Sequence, residues 1–203
     1  MIRFLSFLNV LLVVGGFDAW INEFHYRNYQ QDVDLFIEVI GPANQEAWRY
    51  QLLMYQGRDG TQFHEGISLS GRFFSEGITK DFGFIKISLP NHGAIRKGKM
   101  NGDALALVKD SECIQFISYG DLNSETFSGT TGACFGIQST NIGVNEPFNM
   151  SAGYSLQLHG TGRFHQNFTW WETPVPATPS EVNLGQTLLT AEEHRLVSDA
   201  RYG

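Results

Sequence analysis

Hydrophobic and polar residues alternate along most of this chain in short runs, and most runs end at Gly, Pro, Asn or Asp. Alternation with a period of two is typical of strands that bury one face. The predicted strands are 20–26, 35–40, 48–55, 61–69, 82–89, 104–108, 114–119, 154–158 and 164–171. No amphipathic helix lies between them. The pattern therefore predicts an all-β fold, an antiparallel β-sandwich.

Three local signals refine this prediction. In the first strand, alternation places Ile21 and Glu23 on one face and Asn22 and Phe24 on the other. The strand that begins at 35 should stop at Gly41. The turn 109–111 lies between two strands and predicts a hairpin. A capping box at 190–193 predicts a short helix in the polar C-terminal tail, residues 189–203.

The N-terminus has the pattern of an export signal. Arg3 precedes an apolar run over 4–14, which has the length of a signal-peptide core but is too short to span a bilayer, for which ~20 residues are needed. We expect a signal peptide over 1–19 and a secreted or cell-surface chain with no transmembrane segment. A buried first strand or an uncleaved anchor is the alternative. Gly16 fits the cleavage rule better than Ala19 does.

Length and charge bound the function. A chain of 203 residues predicts one domain. It carries 14 Lys and Arg against 21 Asp and Glu, a net charge of −7. Because affinity for phosphate backbones comes mainly from basic residues, this balance argues against a nucleic-acid partner. Few charged residues, 22 Gly and 16 Phe fit short strands and tight turns better than a helical bundle.

Covalent features agree with export. Cys113 and Cys134 are the two cysteines, and in an exported chain such a pair most often forms a disulfide, with two buried free thiols as the alternative. Asn149 and Asn167 begin N-x-[ST] sequons, which are glycosylation sites in a host that glycosylates.

Candidate metal ligands concentrate near the first two strands. Glu23, Asp32, Asp34 and Glu38 could supply carboxylate oxygens to a structural Ca²⁺, which takes six to eight such ligands. Solvated acids in a turn are the alternative. The six histidines are scattered, and no H-E-x-x-H, G-x-S-x-G or P-loop motif is present, so we expect no catalytic residues and no other cofactor.

Two sets of side chains are candidate ligand surfaces. Trp170 and Trp171 are adjacent, so in a strand they point to opposite faces and at least one should lie at a rim. The basic cluster Arg96, Lys97 and Lys99 could contact a phosphate or an acidic glycan. Core packing and a solvated loop are the respective alternatives.

Three segments together resemble the lamin-tail-domain-like modules of secreted proteins, which occur beside bacterial extracellular nucleases and surface proteins. The segments are INEFHY with the following DVDLFIEVIGPA, then NGDALALV with QFISYG, and finally SLQL, GTG, TW and ATPSEVNLGQ. Their order and spacing extend from about Trp20 to Leu188. The family commonly has Gly-Glu where this chain has Asp34 and Leu35, and Asn or Asp where it has Arg27.

The resemblance implies an immunoglobulin-like β-sandwich over 20–188 that binds or tethers and has no catalytic centre of its own. We therefore expect a secreted binding or adhesion module whose partner is an extracellular protein or a glycan surface. The alternative is a metal-dependent extracellular nuclease or hydrolase, or its nucleic-acid-binding accessory module. This alternative comes from the proteins in which such modules occur.

Overall fold

The structure is a computed structural model that describes residues 17–29, 31–73, 80–89, 95–96, 102–120 and 125–202, except the side chains of residues 201 and 202. The strands are β1 (Trp20–His25), β2 (Phe36–Pro42), β3 (Tyr50–Gln56), β4 (Ile67–Ser68), β5 (Phe82–Ser88), β6 (Asp103–Lys109), β7 (Glu112–Tyr119), β8 (Thr140–Asn141), β9 (Tyr154–Gly162), β10 (Phe168–Trp170), β11 (Val175–Pro176) and β12 (Gln186–Leu188). Helix α1 spans Ala191–Tyr202. Short 3-10 turns occupy Gly132–Cys134 and His165–Asn167.

The strands form two sheets. The larger sheet has the order β10-β9-β1-β2-β5, with β11 and β12 also paired to β9, and the smaller has the order β4-β3-β6-β7-β8. Pairing is antiparallel except between β12 and β9 and between β7 and β8. The predicted all-β sandwich with a short C-terminal helix is confirmed.

Apolar side chains pack on both faces of both sheets. The central core lies between the sheets and includes Ile21, Phe24, Leu52 and Leu105. A second cluster covers the other face of the larger sheet, and a third covers the other face of the smaller sheet, where the segment around Cys134 packs. Because both faces are covered, β1 is buried at every position and β6 at all but its last residue. Neither strand therefore shows a simple alternation of burial.

A β-bulge in β1 changes the predicted faces of that strand. Ile21 pairs with Val39 and Glu23 with Glu38, with a shift of register between the two pairs. Ile21 and Phe24 therefore both enter the central core, whereas Asn22 and Glu23 lie on the opposite face. The predicted grouping of Ile21 with Glu23 is wrong because the bulge inserts one extra residue.

Three strand boundaries also differ from the predictions. Strand β2 continues through Gly41, which pairs with Gly83 of β5. A Cβ at Gly41 would lie 2.6 Å from the ring of Phe73, and one at Gly83 would overlap the Phe73 main chain, so these glycines make room for a buried ring. Of the predicted strand 61–69 only Ile67–Ser68 forms, and a 3-10 turn shortens the predicted strand 164–171 to Phe168–Trp170.

The predicted hairpin and helix start are confirmed. Asp110 and Ser111 both have positive φ, at 48° and 70°, as a two-residue hairpin turn between twisted strands requires. The Thr190 amide donates to the Glu193 carboxylate (2.8 Å), and the Glu193 amide donates to the Thr190 hydroxyl (3.3 Å), which is a complete capping box.

The predicted disulfide is confirmed. Cys113 of β7 is bonded to the buried Cys134, and their Cα atoms are 5.2 Å apart. The bond ties the 3-10 turn Gly132–Cys134 to the outer side of the smaller sheet. By the chain-entropy model, closure of a loop of this size contributes about 3 kcal/mol to the free energy of unfolding.

The folded unit begins before the predicted domain start at Trp20. Phe17 is buried and stacks on Phe82 with ring centroids 4.4 Å apart, and Asp18 accepts a hydrogen bond from the Tyr50 hydroxyl at 2.7 Å. The remainder of the predicted signal peptide, residues 1–16, lies outside the described residues. Within the described ranges, no helix is both long and apolar enough to cross a membrane.

Candidate functional site

Two carboxyl groups lie side by side on the outer face of the larger sheet. Glu23 and Glu38 are directly paired across β1 and β2, and both are fully buried. Glu23 accepts hydrogen bonds from the Ser155 hydroxyl at 2.6 Å and the Thr178 amide at 2.9 Å. Glu38 accepts them from the Asn22 side chain at 3.2 Å and from the Ser180 amide.

Further amide side chains extend this cluster. The Asn183 side chain donates to the main-chain oxygens of Asn22 and Leu158 at 2.9 and 3.0 Å, and Gln186 donates to the Asn22 side chain at 2.9 Å. We call the cluster the carboxylate network; its members are Asn22, Glu23, Glu38, Ser155, Gln157, Thr178, Ser180, Asn183 and Gln186. It fastens the segment 178–186 across the outer face of the larger sheet.

Burial decides the protonation of this network. Burial raises the pKa of Glu23, although its hydrogen bonds oppose the shift. Burial and the neighbouring charge of Glu23 raise the pKa of Glu38 to about 8, so Glu38 is mainly protonated at neutral pH. Neither carboxyl group is accessible to solvent. The network therefore keeps Glu38 mainly protonated and holds the segment 178–186 in place. It presents no surface to a substrate.

The predicted calcium site does not form among the described residues. Glu23 and Glu38 lie in the network, whereas Asp32 accepts a hydrogen bond from the Asn28 amide at 3.0 Å and Asp34 is exposed in the connection between β1 and β2. In the described part of the chain, no group of three or more His, Cys, Asp or Glu is arranged to hold a metal ion. The two glutamates lie within β1 and β2, whereas the two aspartates lie in the loop that connects these strands.

A second buried polar cluster lies at the end of β1. The Glu146 carboxylate contacts His25 Nδ1 at 2.7 Å and accepts the amides of Tyr26 and Arg27 at 2.9 and 2.8 Å. Burial raises the pKa of Glu146. Burial opposes ionisation of His25, but the hydrogen bond and charge of Glu146 outweigh it and raise the His25 pKa. The cluster anchors the loop before β9, and the sequence offered no motif for Glu146.

The two adjacent tryptophans point to opposite sides, as predicted. Trp171 stacks on the ring of His159 with centroids 3.9 Å apart, and its indole N–H donates to the Leu184 oxygen at 3.0 Å. Trp170 makes an edge contact with the core residue Phe24, at 5.4 Å between centroids. Both are half-buried, so neither is a free aromatic platform, but Trp170 lines the cleft described next.

An open cleft lies where the edges of the two sheets meet. Its volume is about 530 Å³, within the range of small-molecule and peptide sites. We call it the edge cleft; its walls are Cys113, Ile114, Gln115, Phe116, Ile117, Ile137, Gln138, Thr140, Asn141, Ile142, Leu158, His165, Phe168, Thr169 and Trp170. Among the described residues, these walls include no Asp, Glu, Lys or Arg. Three amide side chains, two threonines and Trp170 provide its polar and aromatic contacts.

Gln115 and His165 bridge the two sheets beside the edge cleft. The Gln115 side-chain nitrogen is 3.0 Å from His165 Nε2, and the Gln115 side-chain oxygen accepts the Ile21 amide at 2.7 Å. An amide nitrogen can only donate, so His165 Nε2 is the acceptor and its ring is neutral. Burial lowers the pKa of His165, which agrees with a neutral ring. The cleft wall is therefore uncharged and fixed in position.

The remaining predicted positions that the structure describes do not line the edge cleft. Arg96 is exposed, donates to the Gln56 side chain at 2.9 Å and lies 4.2 Å above the ring of Phe63. Lys97 and Lys99 lie outside the described residues. Asn149 and Asn167 are exposed, as glycosylation requires, and the Asn167 side-chain oxygen accepts the amide of Phe164 at 2.9 Å.

Sequence reasoning identified Trp170 but missed the amide side chains that line the edge cleft. Uncharged Gln and Asn residues at dispersed positions form no motif, so no sequence signal marks Gln138 or Asn141, and Gln115 belongs to a quoted segment that gave it no role in binding. Part of the carboxylate network was visible in the sequence, because several of its residues belong to the first and last of the quoted segments. A scan of family models and searches of curated proteins and of solved structures found no match to this chain.

Proposed function

We propose that this chain is a secreted, non-catalytic binding or adhesion module that attaches to an extracellular protein or surface through the edge cleft. The observation that carries the proposal is an open cleft of about 530 Å³ whose described walls are aromatic, aliphatic and amide side chains, with no charged residue among them. Ligand sites commonly combine apolar walls with a few fixed polar groups. Gln115 and Trp170 supply such groups on opposite sheets.

Export is supported by two independent features. The disulfide Cys113–Cys134 is typical of oxidising compartments. The apolar run at 4–14 has the form of a signal peptide. Because Phe17 packs on Phe82, cleavage after Gly16 would leave the whole described unit intact. N-terminal sequencing of the exported chain should therefore begin at Phe17.

Membership of the lamin-tail-domain type is proposed from the quoted segments and from where their residues lie. Glu23, Glu38, Thr178 and Asn183 come from the first and last segments and meet in the carboxylate network. The segments that carry the resemblance thus supply mutually bonded buried groups. This supports a shared architecture and leaves the ligand to be identified by experiment.

The test is an array of extracellular proteins and neutral and acidic glycans, probed with the exported chain. Ile137 is partly exposed and lines the edge cleft, whereas Phe135 is exposed in the same loop and does not. We expect Ile137→Glu to abolish array binding and the matched control Phe135→Glu to retain it. Equal binding by both variants would contradict a role for the edge cleft.

The nuclease alternative makes a different prediction. Incubation of the exported chain with DNA and RNA, with and without divalent ions and chelator, should give no turnover above a heat-inactivated control. Chelator-sensitive cleavage that is lost in Asp32→Ala or Asp34→Ala would contradict the non-catalytic proposal directly.

A further inference from the structure

The edge cleft begins where a β-ladder stops. Strand β8 pairs in parallel with β7 only at Ile117 with Thr140 and at Ser118 with Asn141. For the stretch of β7 from Cys113 to Phe116, β6 is the single strand partner within the described residues. The other edge of that stretch faces the cleft, because five consecutive residues of β7 line it.

The chain before β8 leaves β7 because it pairs elsewhere. The Ser139 amide donates to the Phe127 oxygen at 2.9 Å, and the Gly129 amide donates to the Ile137 oxygen at 3.0 Å. Peptide groups of alternate residues in an extended chain point to opposite sides. Since the Ile137 oxygen and the Ser139 amide bond towards 127–129, the N–H and C=O of Gln138 point away from that segment, and Gln138 also lines the cleft.

The gap between β7 and Gln138 has fixed walls. The disulfide Cys113–Cys134 holds the far end of the loop that carries Gln138, and β8 holds the near end. The third wall is the edge strand β10 of the larger sheet, from Phe168 to Trp170. From Cys113 to Phe116 the open edge is about 10 Å long, at about 3.3 Å per strand residue.

We infer that the edge cleft takes up an extended, uncharged peptide segment of a partner protein as an added strand beside β7. This inference rests on the proposed binding function and names its partner class. Main-chain hydrogen bonds to a sheet edge provide affinity in such complexes, and alternate side chains provide specificity. Here the side chains on one side of the peptide would meet Trp170 and the amide of Gln115, which both lie against the larger sheet, and the alternate side chains would face away from it.

Two observations favour a peptide over a glycan. The inward-facing groups at Gln138 and along β7 are main-chain groups, which pair with a partner's main chain in the regular spacing of a sheet. The gap also continues an existing ladder, since β8 already occupies the next position along β7. The described walls offer no charged side chain, so a charged peptide residue buried against them would lack a partner, which is costly.

The probe is a display library of random linear octapeptides selected on residues 17–203, with affinities then measured by fluorescence anisotropy. We expect the selected octapeptides to have uncharged sequences. In a selected peptide, N-methylation of alternate residues removes the amide protons on one side of a strand. One N-methylated set should bind at least about tenfold more weakly, and the complementary set should bind nearly as the parent.

Gln138→Pro and Gln138→Ala provide a matched pair in the protein. Proline removes the inward-facing amide proton, whereas alanine removes only the side chain. We expect the proline variant to bind about tenfold more weakly than the alanine variant. Melting curves and free-thiol counts show whether Gln138→Pro retains the fold and the disulfide; if it does not, the N-methylated peptides alone decide.

The outcomes separate this inference from the proposed function. Equal weakening by both N-methylated sets, or equal binding by the two Gln138 variants when both fold, would overturn strand addition. Binding of a neutral oligosaccharide, lost in Ile137→Glu, with no peptide selected, would overturn the peptide inference and leave the binding function standing. Absence of any protein, glycan or peptide ligand would overturn both.

Discussion

The carboxylate network and the edge cleft differ in how they place polar groups: the network buries them and bonds them to one another, whereas the cleft exposes them. The network buries two ionisable side chains, Glu23 and Glu38, and satisfies them with groups from β1, β9 and the segment 178–186. The edge cleft contains no charged side chain and remains open. The first fastens the chain to itself, and the second leaves main-chain and amide groups available to another molecule.

This contrast separates the residues that define the fold from those that can bind. Most of the quoted sequence segments lie in strands. Six of their acids and amides lie buried in the network: Asn22, Glu23, Glu38, Gln157, Asn183 and Gln186. The walls of the edge cleft come largely from 137–142 and 165–170, where the sequence shows few motifs. The sequence predicted Glu23 and Glu38 as calcium ligands, whereas in the structure they belong to an internal network. The proposed ligand surface was found from geometry.

The largest effect should come from Glu23→Ala. The change leaves the Ser155 hydroxyl and the Thr178 amide without their acceptor and opens a cavity beside Glu38. We expect the free energy of unfolding to fall by about 3 to 4 kcal/mol, measured by urea denaturation. Glu181→Ala, at an exposed position of the same segment, should change it by less than about 0.5 kcal/mol. Similar losses in both variants would contradict the network's structural role.

Removal of the disulfide should have the next largest effect. The double variant Cys113→Ser/Cys134→Ser should lose about 3 kcal/mol of stability, because the unfolded chain regains the freedom of the closed loop. Since the bond also positions the loop that carries Gln138, ligand affinity should fall with it. A variant that keeps full affinity despite the lost stability would show that the loop does not form a wall of the binding site.

The pH dependence of stability tests the protonation of the network. Folded Glu38 keeps its proton up to a pKa of about 8, whereas the unfolded carboxyl group loses it near 4.5. The folded state thus binds more protons between these values, and this contribution to stability declines as the pH rises from about 4.5 to 8. Glu38→Gln should remove this decline in urea denaturation series measured between pH 5 and 8. If the free energy of unfolding changed with pH in the same way in wild type and variant, the titrating group would be a residue other than Glu38.

The smallest effect on stability should come from the edge cleft. Ile137→Glu alters a partly exposed side chain and should change the free energy of unfolding by less than about 0.5 kcal/mol. The same variant should lose ligand binding, since it introduces a charge into an uncharged wall. Thermal denaturation with a binding titration of the same sample measures both. A large loss of stability would mean that Ile137 serves the fold.

Alternation and turn residues predicted the sandwich, the hairpin at Asp110–Ser111 and the helix cap at Thr190, because each depends on residues close together in sequence. The bulge in β1 was not predictable, since it depends on pairing of Glu23 with Glu38 across two strands. Strands β8, β11 and β12 have two or three residues each, too few for a periodic pattern. The edge cleft depends on residues of β7, β8 and β10 that meet only in the folded chain.

Amide hydrogen exchange with and without the tightest-binding octapeptide tests the central claim, that this protein binds its partner at the edge cleft. The peptide should slow exchange at 113–116 and 137–139 and leave the segment 178–186 unchanged. Slowed exchange at 178–186 without a change at β7 would contradict the claim, and would move the binding site to the face that the carboxylate network closes.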